Sequence, residues 1–99
     1  MGADWFATTA HGKNAKEAFH NAREDARYEH GHAGYTGTVA EKHSFIMIDG
    51  PTSLEEAYTF ADDLCEQGDP RIDDKYGPAG CLQLDTPEDT FLFFGIASS

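Results

Sequence analysis

Two stretches constrain the fold before any other feature does. His43-Ser44-Phe45-Ile46-Met47-Ile48-Asp49 is apolar at consecutive positions through its centre, and Thr90-Phe91-Leu92-Phe93-Phe94-Gly95-Ile96 is almost wholly apolar. Side chains of a strand point alternately to the two faces of its sheet, so a run without polar positions must be covered on both. Residues 43–49 therefore read as an interior strand and residues 90–96 as a second apolar strand. A chain of 99 residues forms one α+β domain, 1–99, around these strands.

The remaining elements follow in order. Trp5 to Ala10 is aromatic and partly β-branched and ends at His11-Gly12, which predicts a first strand and a turn. Asn14 followed by Glu17 is a cap with its partner three residues on, and a helix runs from Ala15 to His30. Its Ala15, Ala18, Phe19, Ala22 and Ala26 form one stripe, with Lys16, Glu17, Asn21, Arg23, Glu24 and Arg27 around the other side. The alternation Thr38, Val39, Ala40, Glu41, Lys42 predicts an edge strand in a hairpin with 43–49. After Asp49-Gly50-Pro51, Thr52 or Ser53 caps a second helix, with Glu55 or Glu56 closing the box. Leu54, Ala57, Tyr58, Ala61 and Cys65 line its face, and Gly68 and Pro70 end it. Residues 69–78 read as a loop, 80–85 as a strand, and Thr86-Pro87-Glu88-Asp89 as the turn into 90–96. This order predicts a two-layer sandwich with a ferredoxin-like βαββαβ core and an extra C-terminal strand, the helices near residues 14–30 and 53–67 sharing one face of the sheet. The opposite face would then be open and apolar, and pairing of two chains through it would make a homodimer.

Charge excludes some partners. Seven basic against eighteen acidic residues leave a formal charge of −11. That repels phosphate backbones and anionic membranes, which argues against direct nucleic-acid binding, and it suits a high-salt cytosol or a basic protein partner. The N-terminal Met1-Gly2-Ala3-Asp4-Trp5-Phe6 lacks the pattern of a signal peptide, and Phe6 stands where a myristoylation signal wants Ser or Thr. No apolar run approaches the ~20 residues of a spanning helix. The chain reads as cytoplasmic, with Cys65 and Cys81 as buried thiols, because no Cys-x-x-C spacing serves zinc or redox chemistry.

The chemistry-bearing stretch is Glu29 to Lys42, where three glycines are interleaved with titratable and hydroxyl side chains. Its candidate ligand-binding residues are Glu29, His30, His32, Gly34, Tyr35, Thr36, Gly37, Thr38, Glu41 and Lys42. Glu29 opposes the helix dipole and, with His30, opens toward the loop. Gly31, Gly34 and Gly37 with Thr36 and Thr38 can present amides and hydroxyls to a phosphate, and Lys42 a cation, although they follow a helix where phosphate loops precede one. Tyr35 either plugs the core or stands out as an anchor. Asp69, Asp73 and Asp74 lack the spacing of a calcium loop. No nucleophile triad is present, and no motif names a cofactor. The first functional reading is a small acidic non-enzymatic binding module that uses this loop to hold a host protein or a small, phosphorylated ligand. The alternative is a metal-dependent enzyme using His30, His32 and Glu41, with Glu29 and His43 as further ligand types.

The run from Tyr28 to Lys42, with Gly34-Tyr35-Thr36-Gly37-Thr38-Val39-Ala40-Glu41-Lys42 at its centre and an alanine-rich helix before it, resembles a motif in small uncharacterised proteins of phages and mobile elements. The resemblance is confined to this run. It implies a short accessory protein and an antagonist of host defence, a kind that acts by binding an effector protein or sequestering a small signalling nucleotide.

Overall fold

The computed structural model describes residues 2–31, 34–86 and 88–99. Four strands, β1 (Ala3–His11), β2 (Phe45–Met47), β3 (Ala79–Gln83) and β4 (Thr90–Ser98), alternate with two helices, α1 (Ala15–His30) and α2 (Leu54–Gln67), and a 3-10 turn at Val39–Glu41. The sheet order is β1-β4-β3-β2, with β2 parallel to β3 and the other pairs antiparallel. The fold is α+β.

Local chemistry accounts for both helices. Asn14 accepts from the Glu17 amide at 2.9 Å, and the Glu17 carboxylate accepts from the Lys13 amide at 3.1 Å, so orphan donors at the start of α1 are satisfied. Ser53 accepts from the Glu56 amide at 3.4 Å. Gly68 ends α2 in the left-handed conformation at φ +68°, and the Asp69 amide reaches back to the Leu64 carbonyl at 3.0 Å.

Strand β4 is the centre of the molecule. Leu92 and Phe94 pack with Ala57, Ala61, Leu64 and Cys65 of α2, whereas Phe91 and Phe93 pack with Ala18, Phe19 and Ala22 of α1. The helices therefore lie on opposite faces of the sheet, and the expectation that they share one is corrected: helix-on-sheet layering holds, twice over. Each fully buried Leu or Phe of β4 contributes ~1.5–3 kcal/mol by leaving water. Phe19, Phe45 and Phe93 close the α1 side with ring centroids 5.0, 5.4 and 5.7 Å apart. Burial raises the thiol pKa of Cys65, next to α2's contact with the sheet, to about 11 and that of Cys81, in β3, to about 12, so both stay protonated. The apolar run of β4 is covered on both faces within one chain, and the open face invoked for a dimer is occupied.

Two further expectations change. Residues 38–42 form no strand. Thr38 caps the 3-10 turn by accepting from the Ala40 amide at 3.2 Å, and Gly37 before it sits at φ +71°, which interrupts an extended chain. Val39 and Lys42, three apart, are both buried, the spacing of a 3-10 turn and not of a strand. Without that strand there is no hairpin with 43–49. β2 becomes a three-residue edge strand beside β3, joined to it by α2, and the ferredoxin-like strand order does not form. Pro87, in the predicted acidic turn, lies outside the described residues.

Candidate functional site

The loop after α1 folds back along the helix, and the 3-10 turn packs against α1. Its frame is a hydroxyl and carboxylate network. Glu41 accepts from the Thr36 amide at 3.2 Å and from the Thr36 hydroxyl at 2.8 Å, and the Thr36 and Thr38 hydroxyls lie 2.7 Å apart. Burial pulls the Glu41 carboxyl upward, but the two bonds from Thr36, with a backbone bond from Tyr35 and the neighbouring His43, together hold its pKa below the ordinary value. The Gly37 amide donates to the Ser98 carbonyl at 2.7 Å, which ties the loop to the last residues of β4. Thr36, Gly37, Thr38 and Glu41 thus fix the loop's shape.

This frame separates two clefts, and the expected site residues divide between them. The larger, about 380 Å³, lies between α1 and β1 and is lined by Phe6, Thr8, Asp25, Glu29, His30 and Thr38, with Gly37 beside them. Ala22 and Ala26 keep its helical wall low. Glu29 and His30 are exposed there, with carboxylate oxygen and imidazole nitrogen 3.9 Å apart. The smaller cleft, about 240 Å³, lies on the other side and is lined by Arg23, Arg27, Gly31, Gly34, Ala40, Glu41 and His43.

Lys42 takes another role than the one expected of it. Its side chain is 1% exposed, and its ammonium donates to the carbonyls of Asp74, Lys75 and Gly77 at 3.2, 3.3 and 3.0 Å. Burial lowers its pKa, with the Asp74 carboxylate acting in the opposite direction. It anchors the loop between α2 and β3 and does not reach a ligand. His32 lies outside the described residues. His30 and Glu41 line different clefts, and among the described residues no three His, Cys, Asp or Glu side chains gather to hold a metal ion.

Tyr35 stands out and does not plug the core. It is 65% exposed, and its φ of +55° is a left-handed conformation that a bulky residue adopts at a cost of ~1 kcal/mol or more.

Sequence reasoning missed Arg23 and Arg27, which a helical wheel assigns to the solvent side of α1. They are two of the three arginines in the chain. Arg27 donates to Glu24 at 3.2 Å. The Arg23 guanidinium lies over the Phe19 ring, 5.9 Å from its centroid, and its Nε is buried without a hydrogen-bond partner among the described residues. Burial lowers the Arg23 pKa and the charge of Arg27 lowers it further, while Glu24 and Glu41 act in the opposite direction. The available signal was their i, i+4 spacing, a like-charge pair that an isolated helix disfavours.

Among the described residues no helix is long and apolar enough to cross a membrane. Comparison with protein-family models, with curated proteins and with solved structures finds no match to this chain.

Proposed function

We propose that this protein is a non-enzymatic binding module that sequesters a small anionic ligand, of the phosphorylated kind, in the smaller cleft between α1 and the glycine-rich loop. The observation that carries this reading is the pair Arg23 and Arg27, facing one cleft in a chain of formal charge −11, with Arg23 Nε buried and unpartnered among the described residues. An N–H out of water needs an acceptor, and two like charges one helical turn apart favour an anion beside them; of the pair, Arg27 already donates to Glu24 at 3.2 Å and Arg23, among the described residues, has no such bond from Nε. The Glu41 carboxylate, which also lines the cleft, already accepts from Thr36. Gly34, open toward the cleft, leaves room for a ligand to approach the backbone. A ligand of this class fits the anti-defence setting that the loop motif implies.

The test is a titration with inorganic phosphate and with a phosphate monoester, against chloride at matched ionic strength. The reading expects a rise in melting temperature with phosphate alone, lost in Arg23→Gln, Arg27→Gln. No difference between phosphate and chloride sinks it. A second reading, capture of a basic host protein, is favoured by Asp25 and Glu29 on the wall of the larger cleft. It expects affinity that falls steeply with salt and depends on Asp25→Asn and Glu29→Gln, with the arginines irrelevant.

A further inference from the structure

Both outer strands of the sheet end its ladder, and they differ in how the free edge is handled. β2 is three residues long, one of the ordinary ways to blunt an edge. β1 is nine residues long and runs Ala3-Asp4-Trp5-Phe6-Ala7-Thr8-Thr9-Ala10-His11. It holds no proline, lysine or glutamate, and Trp5 to Ala10 carries no charge at all.

The register identifies the free groups. Gly2 exchanges both backbone bonds with Ser99, at 3.0 and 3.1 Å, and the Gly12 amide donates to Asp89 at 3.2 Å, so the even positions of β1 face β4. The backbone N–H and C=O groups of Ala3, Trp5, Ala7 and Thr9 consequently point away from the sheet. On the odd side chains' face, α2 only flanks this strand, with Ala61, Asp62 and Cys65 beside Trp5 and Ala7: Trp5 is 53% exposed, and Ala7 and Thr9 are exposed.

We infer that β1 pairs antiparallel with β1 of a second copy of this chain, across a two-fold axis at Ala7, making a continuous eight-stranded sheet. The strand complements itself in this register. Ala7 faces its own copy, and Trp5 faces Thr9 of the partner subunit, an aromatic against a β-branched residue. Phe6 faces Thr8 of the partner subunit, Asp4 faces its Ala10, and His11 faces its Ala3, so no like charges are opposed although each copy carries −11. Trp5, Ala7 and Thr9 find backbone partners, the His11 carbonyl at the strand's end already accepts from the Asn21 side chain at 2.8 Å, and registers shifted by two residues leave overhangs. Phe6 and Thr8 also line the larger cleft, so the partner strand continues that cleft's floor. The pairing stands on the edge of β1 and is independent of the arginine cleft.

Light scattering across concentration tests it, with far-UV circular dichroism as the check on folding. The expected mass is twice 10.8 kDa, with the dimer fraction rising as salt screens the net charge. Ala7→Lys sets two ammonium groups against each other, and Ala7→Pro removes an outward amide without touching the ladder to β4. Each is expected to weaken dimerisation by roughly tenfold or more. Amide exchange on the unaltered chain decides the matter if a variant unfolds: Trp5, Ala7 and Thr9 must gain protection as concentration rises. A mass of 10.8 kDa at every concentration, a dimer that both folded variants leave intact, or exchange at those amides that ignores concentration overturns the inference.

Discussion

Lys42 reaches from the end of the 3-10 turn to the carbonyl of Gly77, its Nζ 3.0 Å away, and so ties the loop before β2 to the loop before β3. Two further carbonyls, of Asp74 and Lys75, share the same ammonium. Lys42→Met keeps most of the apolar stem but takes the ammonium from the Lys75 and Gly77 carbonyls, each costing ~1–3 kcal/mol if left unsatisfied, less whatever water restores, while the Asp74 carbonyl keeps its bond from the Gly77 amide at 2.9 Å. The expected loss is about 3 kcal/mol in denaturant unfolding, with the anion cleft's ligand response unchanged in the folded fraction. Lys42→Arg does not rescue it, because a planar fork cannot replace a compact donor among three carbonyls. A variant as stable as the parent would mean the cluster contributes nothing.

Gly37 and Gly34 have different reasons for being glycine. At Gly37, φ is +71° and a Cβ would stand 2.7 Å from the Asp4 carboxylate and 3.2 Å from Ser99 Cβ. At Gly34, φ is +81° with open space around it. Gly37→Ala should therefore cost clearly more than the ~1 kcal/mol that left-handed strain alone exacts, and Gly34→Ala about that strain only. Equal losses in urea midpoints would contradict this difference.

Acid should weaken one identifiable contact in the loop after α2. Arg71 donates from Nε and Nη2 to the two oxygens of Asp69, both at 2.9 Å, and those bonds hold the Asp69 pKa at about 2, below the usual carboxylate range. A carboxyl with a depressed folded pKa contributes stability above its unfolded pKa and loses it as pH falls through the folded one. The stability gap between the parent and Asp69→Asn should thus be constant above pH ~5 and shrink between pH ~4 and ~2. A gap unchanged over that window would show the pair to be energetically silent.

Much of this architecture is legible in the residues, and the misreadings have physical causes. Both helices announce themselves through caps that work as read, at Asn14 and Ser53, and through the alanine stripe that packs on the sheet. The apolar run of β4 correctly demands cover on both faces, but alternation is symmetric and cannot say that one helix takes each face. Over five residues, a strand's period of two and a 3-10 turn's period of three are hard to tell apart, and the hydrogen bonds of Thr36, Thr38 and Glu41 decide for the turn. Lys42 reads as a free cation in the sequence because burial of its stem depends on a loop more than thirty residues on. A helical wheel places Arg23 and Arg27 in solvent because it knows nothing of the 3-10 turn that packs against α1.

Tyr35 offers the sharpest separation of folding from binding. Its ring is 65% exposed, so truncation removes little buried area, yet its backbone is held at φ +55° by a frame that runs through the Thr36 amide to Glu41. Strain of this kind persists only where surrounding structure over-determines it, and it concentrates at contact sites. Tyr35→Gly relieves the strain while Tyr35→Ala keeps it. The glycine variant should be as stable as the parent or more stable by ~1 kcal/mol, offset in part by added freedom in the unfolded chain, and the alanine variant should lie close to the parent. On the second reading, in which the chain captures a basic protein, an exposed aromatic on a fixed loop is the residue type that dominates contact energy, so both variants should lose affinity for that protein by an order of magnitude or more. Capture of the protein partner by the parent chain and the two variants, alongside their melting curves, checks both halves. Unfolding of Tyr35→Ala would show that the ring supports the core after all, and full retention of binding by both variants would remove Tyr35 from the contact surface.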